Sequence, residues 1–287
     1  MAATGGMAPP AEASPRVSAM GQRLVSAAIL LPLAFGAAWL GGLYWAALVL
    51  IFAIAMSWEW STICSRDAGA PAHLPPAGWL AMLAVAGAVV AAASGRDVPA
   101  LAVLAAGALL TGGMAAAGKG GRSLWLGLGV IYVGLPSIAI LWIRSQDSGL
   151  VTLAWILALV IAVDTGAYFA GRTIGGPKLA PRISPKKTWA GLAGGVVSAS
   201  LVGWVTALLL ELPQWLTLIA ISGLLAFVEQ AGDLAESAFK RRFGVKDSSR
   251  LIPGHGGVLD RVDGLLAVSL AVGLAEYCLG GMTIWTR

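Results

Sequence analysis

The sequence is poor in charged and metal-binding residues for its length. Its 287 residues include only 19 Lys plus Arg, 14 Asp plus Glu, two His and two Cys. Charged residues make up 11%, against roughly 25% in soluble domains, which excludes an ordinary soluble enzyme. Two cysteines far apart, Cys64 and Cys278, exclude a disulfide framework and a CxxC metal site. What is abundant is hydrophobic: 58% of residues and a mean hydropathy of +0.82, which predict a polytopic membrane protein.

Nine apolar stretches are long enough to cross a bilayer, which takes about 20 residues per helix. No residue from Leu24 to Trp58 is charged, and the Gly41-Gly42 pair divides that stretch into two spans. The other seven spans run from Pro76 to Gly95, Val98 to Gly118, Ser123 to Ile143, Leu150 to Gly171, Thr188 to Leu210, Leu212 to Ser237 and Gly264 to Trp285. The predicted fold class is therefore all-α, an integral membrane protein with about nine transmembrane helices.

The composition divides the chain into three regions. Residues 1–22, rich in Ala, Pro, Gly and Ser, are predicted to be a disordered cytoplasmic tail without a signal peptide. Residues 23–145 form an N-terminal transmembrane scaffold. Residues 146–287 form a C-terminal catalytic transmembrane region with cytoplasmic loops at 172–187 and 238–263.

The distribution of cations predicts the orientation. With nine spans and a cytoplasmic N-terminus, 16 of the 19 Lys and Arg residues lie on the cytoplasmic side. The other side holds Arg96, Arg144 and Arg287. Because cytoplasmic loops carry the excess of Lys and Arg, this division predicts the N-terminus inside and the C-terminus outside.

The first polar segment begins inside the sixth span. Asp164 and Tyr168 are four residues apart and share a helix face, directed toward the cations of loop 172–187. An intramembrane carboxylate indicates either a structural partner or a function. In the loop, Gly175-Gly176-Pro177 and Ser184-Pro185-Lys186-Lys187 fit phosphate binding as well as they fit the ordinary excess of cytoplasmic cations.

The second polar segment is a helical stripe at the end of the eighth span. Glu229, Asp233, Glu236 and Lys240 lie at i, i+4, i+7 and i+11, so three carboxylates and an ammonium share one face. Carboxylates this close repel each other unless a cation lies among them, and Mg²⁺ prefers such oxygen ligands. The alternative is a solvated, ion-paired loop.

The loop that follows ends with Asp260 and Asp263, which share a face as the ninth span begins. Together with the stripe, these carboxylates and the neighbouring cations predict a site for a Mg²⁺-nucleotide at the membrane surface. A zinc site is not expected, because His255 has no second His or Cys nearby. For Glu276, inside the ninth span, a structural partner is expected rather than catalysis.

The residues from Ser237 to Asp263 resemble a known signature. The pattern S-x-x-K-R-x(4)-K-D-x(5)-[PG]-x-H-G-G-x-x-D-R-x-D is met at every fixed position. In this the chain resembles the phosphatidate cytidylyltransferase (CDP-diacylglycerol synthase) family, whose signature it is. The runs at Asp164, Arg172 and Ser184 also resemble family segments. One departure is Ala190, where family members often have Glu, so no acidic group is expected to act at that position.

The resemblance implies condensation of CTP with phosphatidate, giving CDP-diacylglycerol and diphosphate. The implied cofactor is Mg²⁺, either alone or together with a second cation. It implies catalytic roles for Asp260, Lys240 and Asp233, and metal binding by Asp233, Asp260 and Asp263, with Asp164 as a further candidate. Substrate binding is expected from Lys178, Lys186, Lys187, Ser237, Arg241, Lys246, Asp247, His255 and Arg261, with Lys240 also contacting phosphate.

The expected partners are CTP, phosphatidate and membrane lipid, without nucleic acid, and the resemblance suggests a homodimer. The expected location is the inner (plasma) membrane, with the active site facing the cytoplasm. Two alternatives remain at this stage: a CTP-dependent lipid kinase of related architecture, and an ion-coupled transporter that uses the intramembrane carboxylates.

Overall fold

A computed structural model describes residues 19–65, 74–117, 123–252, 256–279 and 285. Within these residues the chain forms nine helices and one two-stranded sheet. The helices are α1 (Ala19–Leu40), α2 (Gly42–Ser65), α3 (Pro76–Ala93), α4 (Asp97–Ala117), α5 (Ser123–Ser145), α6 (Gly149–Thr173), α7 (Trp189–Leu209), α8 (Trp215–Arg242) and α9 (Leu259–Cys278). The strands are β1 (Lys178–Ala180) and β2 (Ser184–Thr188).

Seven of the described helices, α2 to α8, are long and apolar enough to cross a membrane. The prediction of a helical, polytopic membrane protein is therefore confirmed. The helix break predicted at Gly41-Gly42 is present: both glycines have positive φ, at 66° and 49°, which other residues rarely adopt. Of the predicted disordered tail, residues 1–18 lie outside the described residues, and α1 begins at Ala19.

Helix α9 begins at Leu259, before its predicted start at Gly264, and helices α2 and α8 extend past the predicted ends of their spans. Helix α2 continues past Trp58 to Ser65 and buries Glu59 within the bundle. Helix α8 continues past Ser237 to Arg242, so its last turn occupies the start of the segment predicted as loop 238–263. Both extensions carry charged residues that an apolar-run criterion excludes, although their partners lie inside the protein.

Loop 172–187 contains the β-structure that the all-α prediction omitted. Strands β1 and β2 pair antiparallel, with Lys178 opposite Thr188 and Ala180 opposite Ser184. Thr188 then caps α7, its side-chain oxygen accepting a hydrogen bond from the Gly191 N–H at 3.0 Å. The hairpin and the start of α7 are thus one continuous unit, and the lysines of β2 have fixed positions.

Helices α6 and α7 pack closely because small residues meet at their interface. A Cβ added to Gly166 would lie 2.7 Å from the Gly194 carbonyl oxygen and would clash with the Ser198 hydroxyl. This approach brings the C-terminal end of α6 against the hairpin and the first turn of α7.

An aromatic stack joins the N-terminal scaffold to α8. The Trp60 ring of α2 lies parallel to the Phe239 ring, with centroids 3.6 Å apart and an interplanar angle of 6°. Tyr132 of α5 stacks on Trp60 at 4.9 Å. Trp60 and Phe239 are both almost fully buried in the larger hydrophobic core. The stack holds the end of α8 that carries the charged stripe.

Candidate active site

A cavity of about 440 Å³ opens where α6, α7, α8 and the hairpin meet. Its walls combine three cationic and two acidic side chains with polar and small residues. The lining residues are Asp164, Ala167, Tyr168, Gly171, Arg172, Lys186, Lys187, Thr188, Gly191, Leu192, Gln230 and Asp233. Both polar segments of the sequence therefore contribute to one cavity.

The cavity is crossed by an ion pair between the two segments. Lys187 Nζ of β2 lies 2.6 Å from Asp233 Oδ2 of α8, and both side chains are largely buried. The Ser237 hydroxyl donates to Asp233 Oδ1 at 3.2 Å, one turn further along α8. Tyr168 and Arg172 are also linked, because the Arg172 guanidinium donates to the Tyr168 hydroxyl at 2.8 Å.

A second charged cluster lies two turns further along α8. Lys240 Nζ lies 2.6 Å from Glu236 Oε2 and 2.7 Å from Asp260 Oδ1, and the Glu236 side chain is fully buried. One ammonium thus neutralises carboxylates from α8 and from the first turn of α9. Since unpaired charges are costly in a buried setting, this triad fixes the end of α8 against the start of α9.

Asp260 is held by a dense set of donors. Besides Lys240, the backbone N–H of Gly257 donates to Oδ2 at 2.9 Å and that of Ser248 at 3.0 Å. Burial alone would raise the pKa of Asp260, but these hydrogen bonds and the Lys240 charge outweigh it and hold the pKa below its usual range. Asp260 is therefore ionised at neutral pH, and both of its oxygens already have donors.

Glu59 of α2 is the site-forming residue that the sequence reasoning missed. Its side chain is completely buried and accepts hydrogen bonds from the N–H groups of Val258 and Leu259 at 2.9 and 2.8 Å. The hydroxyls of Ser248 and Ser249 donate to the same carboxylate. The only signal in the sequence is one carboxylate at the end of an otherwise apolar run.

The other predicted residues lie in different environments. Lys186 lines the cavity, and Arg241 joins the hairpin to α8 by donating to the Ile183 carbonyl oxygen at 3.3 Å. Asp263 is half-buried, and its carboxylate interacts electrostatically with Asp233, Lys240 and Asp164. The side chains of Lys178, Lys246, Asp247 and Arg261 are exposed and do not line the cavity. His255 lies outside the described residues.

The carboxylates are distributed over the two clusters rather than concentrated in one. Among the described residues, no group of three His, Cys, Asp or Glu side chains lies close enough to hold a metal ion without other ligands. Glu276 is buried in α9, and its Oε1 has no hydrogen-bond partner among the described residues. Ala190 is the second residue of α7, and its side chain does not line the charged cavity.

Comparison with known proteins identifies the family. The sequence model described as the cytidylyltransferase family matches residues 21–278, which is most of the chain. The chain belongs to the cytidylyltransferase family.

Three bacterial proteins named phosphatidate cytidylyltransferase are similar to this chain, one over most of its length and two over about half of it. A Brucella suis protein named phosphatidate cytidylyltransferase is 38% identical over 257 residues, covering 86% of this chain and 89% of the relative. A Bacillus subtilis protein of the same name is 42% identical over 143 residues, covering 49% and 53%. One from Rickettsia typhi is 39% identical over 149 residues, covering 50% and 65%.

The Lys240 triad leads to a stability prediction. Lys240→Met leaves two neighbouring carboxylates without their cation, and we expect a loss of about 3–5 kcal/mol in the free energy of unfolding. Lys240→Met combined with Glu236→Gln should recover part of that loss. Thermal unfolding in detergent measures both. The matched control is Lys246→Met, an exposed lysine of the adjoining segment; equal melting temperatures for the two single variants would contradict the prediction.

Proposed function

We propose that this chain is a phosphatidate cytidylyltransferase, which converts CTP and phosphatidate into CDP-diacylglycerol and diphosphate. A phosphate oxygen of phosphatidate attacks the α-phosphorus of CTP, and the bond from that phosphorus to the bridging oxygen of the β-phosphate breaks. The observation that carries the proposal is the cavity with Lys187, Lys186 and Arg172 facing Asp164 and Asp233, in a chain of this family. The near full-length likeness to proteins with that name supports the choice of phosphatidate.

The reaction places particular demands on the site. A phosphate monoester is already nucleophilic at neutral pH, so no strong general base is required. The two reactants are both anionic, and negative charge grows on the departing diphosphate. Preorganised cations that neutralise this charge supply most of the rate enhancement in such reactions.

The cations of the cavity meet these demands. We assign Lys186, Lys187 and Arg172 to the substrate phosphates, because they surround the cavity. Lys187 is ion-paired with Asp233 before any substrate is bound, so its ammonium is already fixed in position. Lys240 and Asp260 form a neighbouring charged cluster that extends the site toward α9.

The donor set of the cavity also suits Mg²⁺. This ion usually binds one or two protein carboxylates and takes its other ligands from water and substrate phosphates, so a protein cage of three carboxylates is not required. Asp164 and Asp233, which line one cavity, are the residues we propose to hold it, with Asp263 close by. Bound there, Mg²⁺ would neutralise charge on the phosphates. Both oxygens of Asp260 already have hydrogen-bond donors, so we propose that Asp260 acts on the metal site indirectly, through water or through Lys240.

We further propose that α1 and α9 also span the membrane, which gives nine spans with the seven apolar helices. The N-terminus and the active site would then both face the cytoplasm. Side-chain contacts support the alternation. Glu59 near the end of α2 bonds the start of α9, so these ends lie on one side. Arg144 at the end of α5 donates to the Ala38 carbonyl oxygen at the end of α1, on what would be the opposite side. Nine alternating helices give that arrangement, with the site where most cations lie.

The orientation has a direct test. Arg242→Cys, in a chain whose native cysteines are replaced by Ala, should react with a membrane-impermeant maleimide in inverted vesicles and not in intact cells. Arg96→Cys, between α3 and α4, should show the opposite pattern. Labelling of Arg242→Cys from outside intact cells would contradict the proposed orientation.

The activity is tested by incubating the purified protein with phosphatidate, Mg²⁺ and radiolabelled CTP. We expect label from the α-phosphate to appear in the lipid together with diphosphate. Transfer from the γ-phosphate alone would indicate a CTP-dependent lipid kinase instead. No transfer from either position would contradict both enzymatic functions.

A narrower prediction concerns the cation at the centre of the cavity. Lys187→Met removes the ammonium that faces Asp233, and we expect kcat/KM to fall about 100-fold or more, as for the loss of one preorganised donor. Arg96→Met, which removes an exposed cation from the opposite end of the bundle, is the control and should leave kcat/KM unchanged. Similar values for the two variants would remove Lys187 from the phosphate site.

A further inference from the structure

One buried carboxylate with four donors has no part in the mechanism described above. Glu59 lies in α2 of the N-terminal scaffold, and all of its donors lie between Ser248 and Leu259, nearly 200 residues later. Each oxygen accepts from one hydroxyl and one backbone N–H: Oε1 from Ser249 and Val258, and Oε2 from Ser248 and Leu259. The carboxylate is therefore completely satisfied by a single segment.

That segment is the one that holds Asp260. Ser248 donates its hydroxyl to Glu59 and its backbone N–H to Asp260. The Gly257 N–H bonds Asp260, and the next two N–H groups along the chain bond Glu59. The two carboxylates thus bind adjacent backbone N–H groups at 257–259 and share Ser248, so a shift at Glu59 displaces the donors of Asp260.

Glu59 also replaces the missing cap of α9. Val258, the residue before the helix, makes no side-chain capping hydrogen bond. The first N–H groups of a helix need acceptors, and a negative charge is favoured there by the helix dipole. Glu59 supplies both from another helix, which sets where α9 begins and therefore where its second residue, Asp260, is placed.

Trp60, the next residue of α2, packs against the helix that carries Lys240. Trp60 stacks face to face on Phe239, which precedes Lys240 in α8. Adjacent residues of one scaffold helix thus contact both elements that the Lys240–Asp260 pair joins.

We propose that Glu59 is a positioning residue for the reaction: through Ser248 and the backbone of residues 257–259 it holds Asp260, and with it Lys240, in the reactive arrangement. The inference rests on the proposed function for its kinetic consequence. A misplacement of about 1 Å can reduce a rate about 100-fold, so loss of the Glu59 contacts should lower kcat rather than substrate binding.

The test uses Glu59→Gln, which has nearly the same shape. A serine hydroxyl can turn to accept a hydrogen bond from the new amide group, whereas a backbone N–H cannot, so Val258 or Leu259 loses its acceptor. We expect kcat to fall about 100-fold with the KM for CTP and for phosphatidate nearly unchanged. Amide hydrogen exchange in peptides covering residues 256–262 should become faster. Both are measured on full-length protein in detergent with phosphatidate micelles.

A second variant, Gly257→Ala, disturbs the contact between Glu59 and its donors by changing the donor segment, so the proposal is still tested if Glu59→Gln folds poorly. A Cβ added to Gly257 would lie 2.6 Å from Glu59 Oε1 and would clash with the Ser248 hydroxyl. Gly257→Ala should therefore also lower kcat at unchanged KM. The control for Glu59→Gln is Glu276→Gln, which changes another buried carboxylate, in α9. The control for Gly257→Ala is Gly113→Ala, where an added Cβ meets nothing within 4 Å. Both should keep the parent's kcat.

The outcomes separate the two proposals. Parent-like kcat and exchange in folded Glu59→Gln and Gly257→Ala would overturn the positioning role. A purely structural role would lower the melting temperature while leaving kcat per folded molecule unchanged, which also overturns it. A parent protein without cytidylyltransferase activity would contradict the proposed function alone, and the exchange rates would still decide whether Glu59 holds the segment.

Discussion

Charged side chains inside a helical membrane bundle need partners, because water does not solvate them there, and this requirement organises the site. Lys240 has Glu236 and Asp260, Lys187 has Asp233, and Glu59 has four hydrogen-bond donors. Nearly all of these contacts join residues from different elements. Pairing the charges therefore also fixes the relative positions of the ends of α2, α8, α9 and the hairpin.

The same arrangement prepares the cavity for an anionic substrate. Arg172, Lys186 and Lys187 face Asp164 and Asp233, so the formal charge of the wall is only slightly positive. A nearly balanced wall is stable when no substrate is present, whereas three cations without carboxylates would repel each other. In the proposed reaction, the carboxylates also provide oxygen ligands for a cation that binds together with the nucleotide.

The N-terminal half of the chain is more than a hydrophobic scaffold. Its helix α2 provides Trp60, which packs on α8, and Glu59, which caps α9. The predicted division into a scaffold at 23–145 and a catalytic region at 146–287 describes where the charged motifs lie in the sequence. The contacts of α2 show that the structure of the site depends on both regions.

Much of the fold follows from local patterns. Apolar runs of about 20 residues predicted the nine described helices, with the largest errors at the ends that carry charged residues, and the Gly41-Gly42 pair predicted the break between α1 and α2. The hairpin at 178–188 is not predicted from the sequence, because β1 has only three residues, and β2 is polar and contains a proline, so neither has an alternating apolar pattern. The length of α8 was underestimated, because Lys240 carries a charge that usually ends an apolar run but here is paired.

The sequence alone determined the class of protein and the approximate positions of the helices, because these depend on composition and on the length of apolar runs. The spacing of Asp233, Glu236 and Lys240 placed them on one face without any knowledge of their neighbours. Only the tertiary structure decided which charges meet: Lys187 with Asp233, Lys240 with Asp260, and Glu59 with the start of α9. These pairs span up to 200 residues of sequence, and contacts at that separation arise from helix packing, which no local pattern encodes.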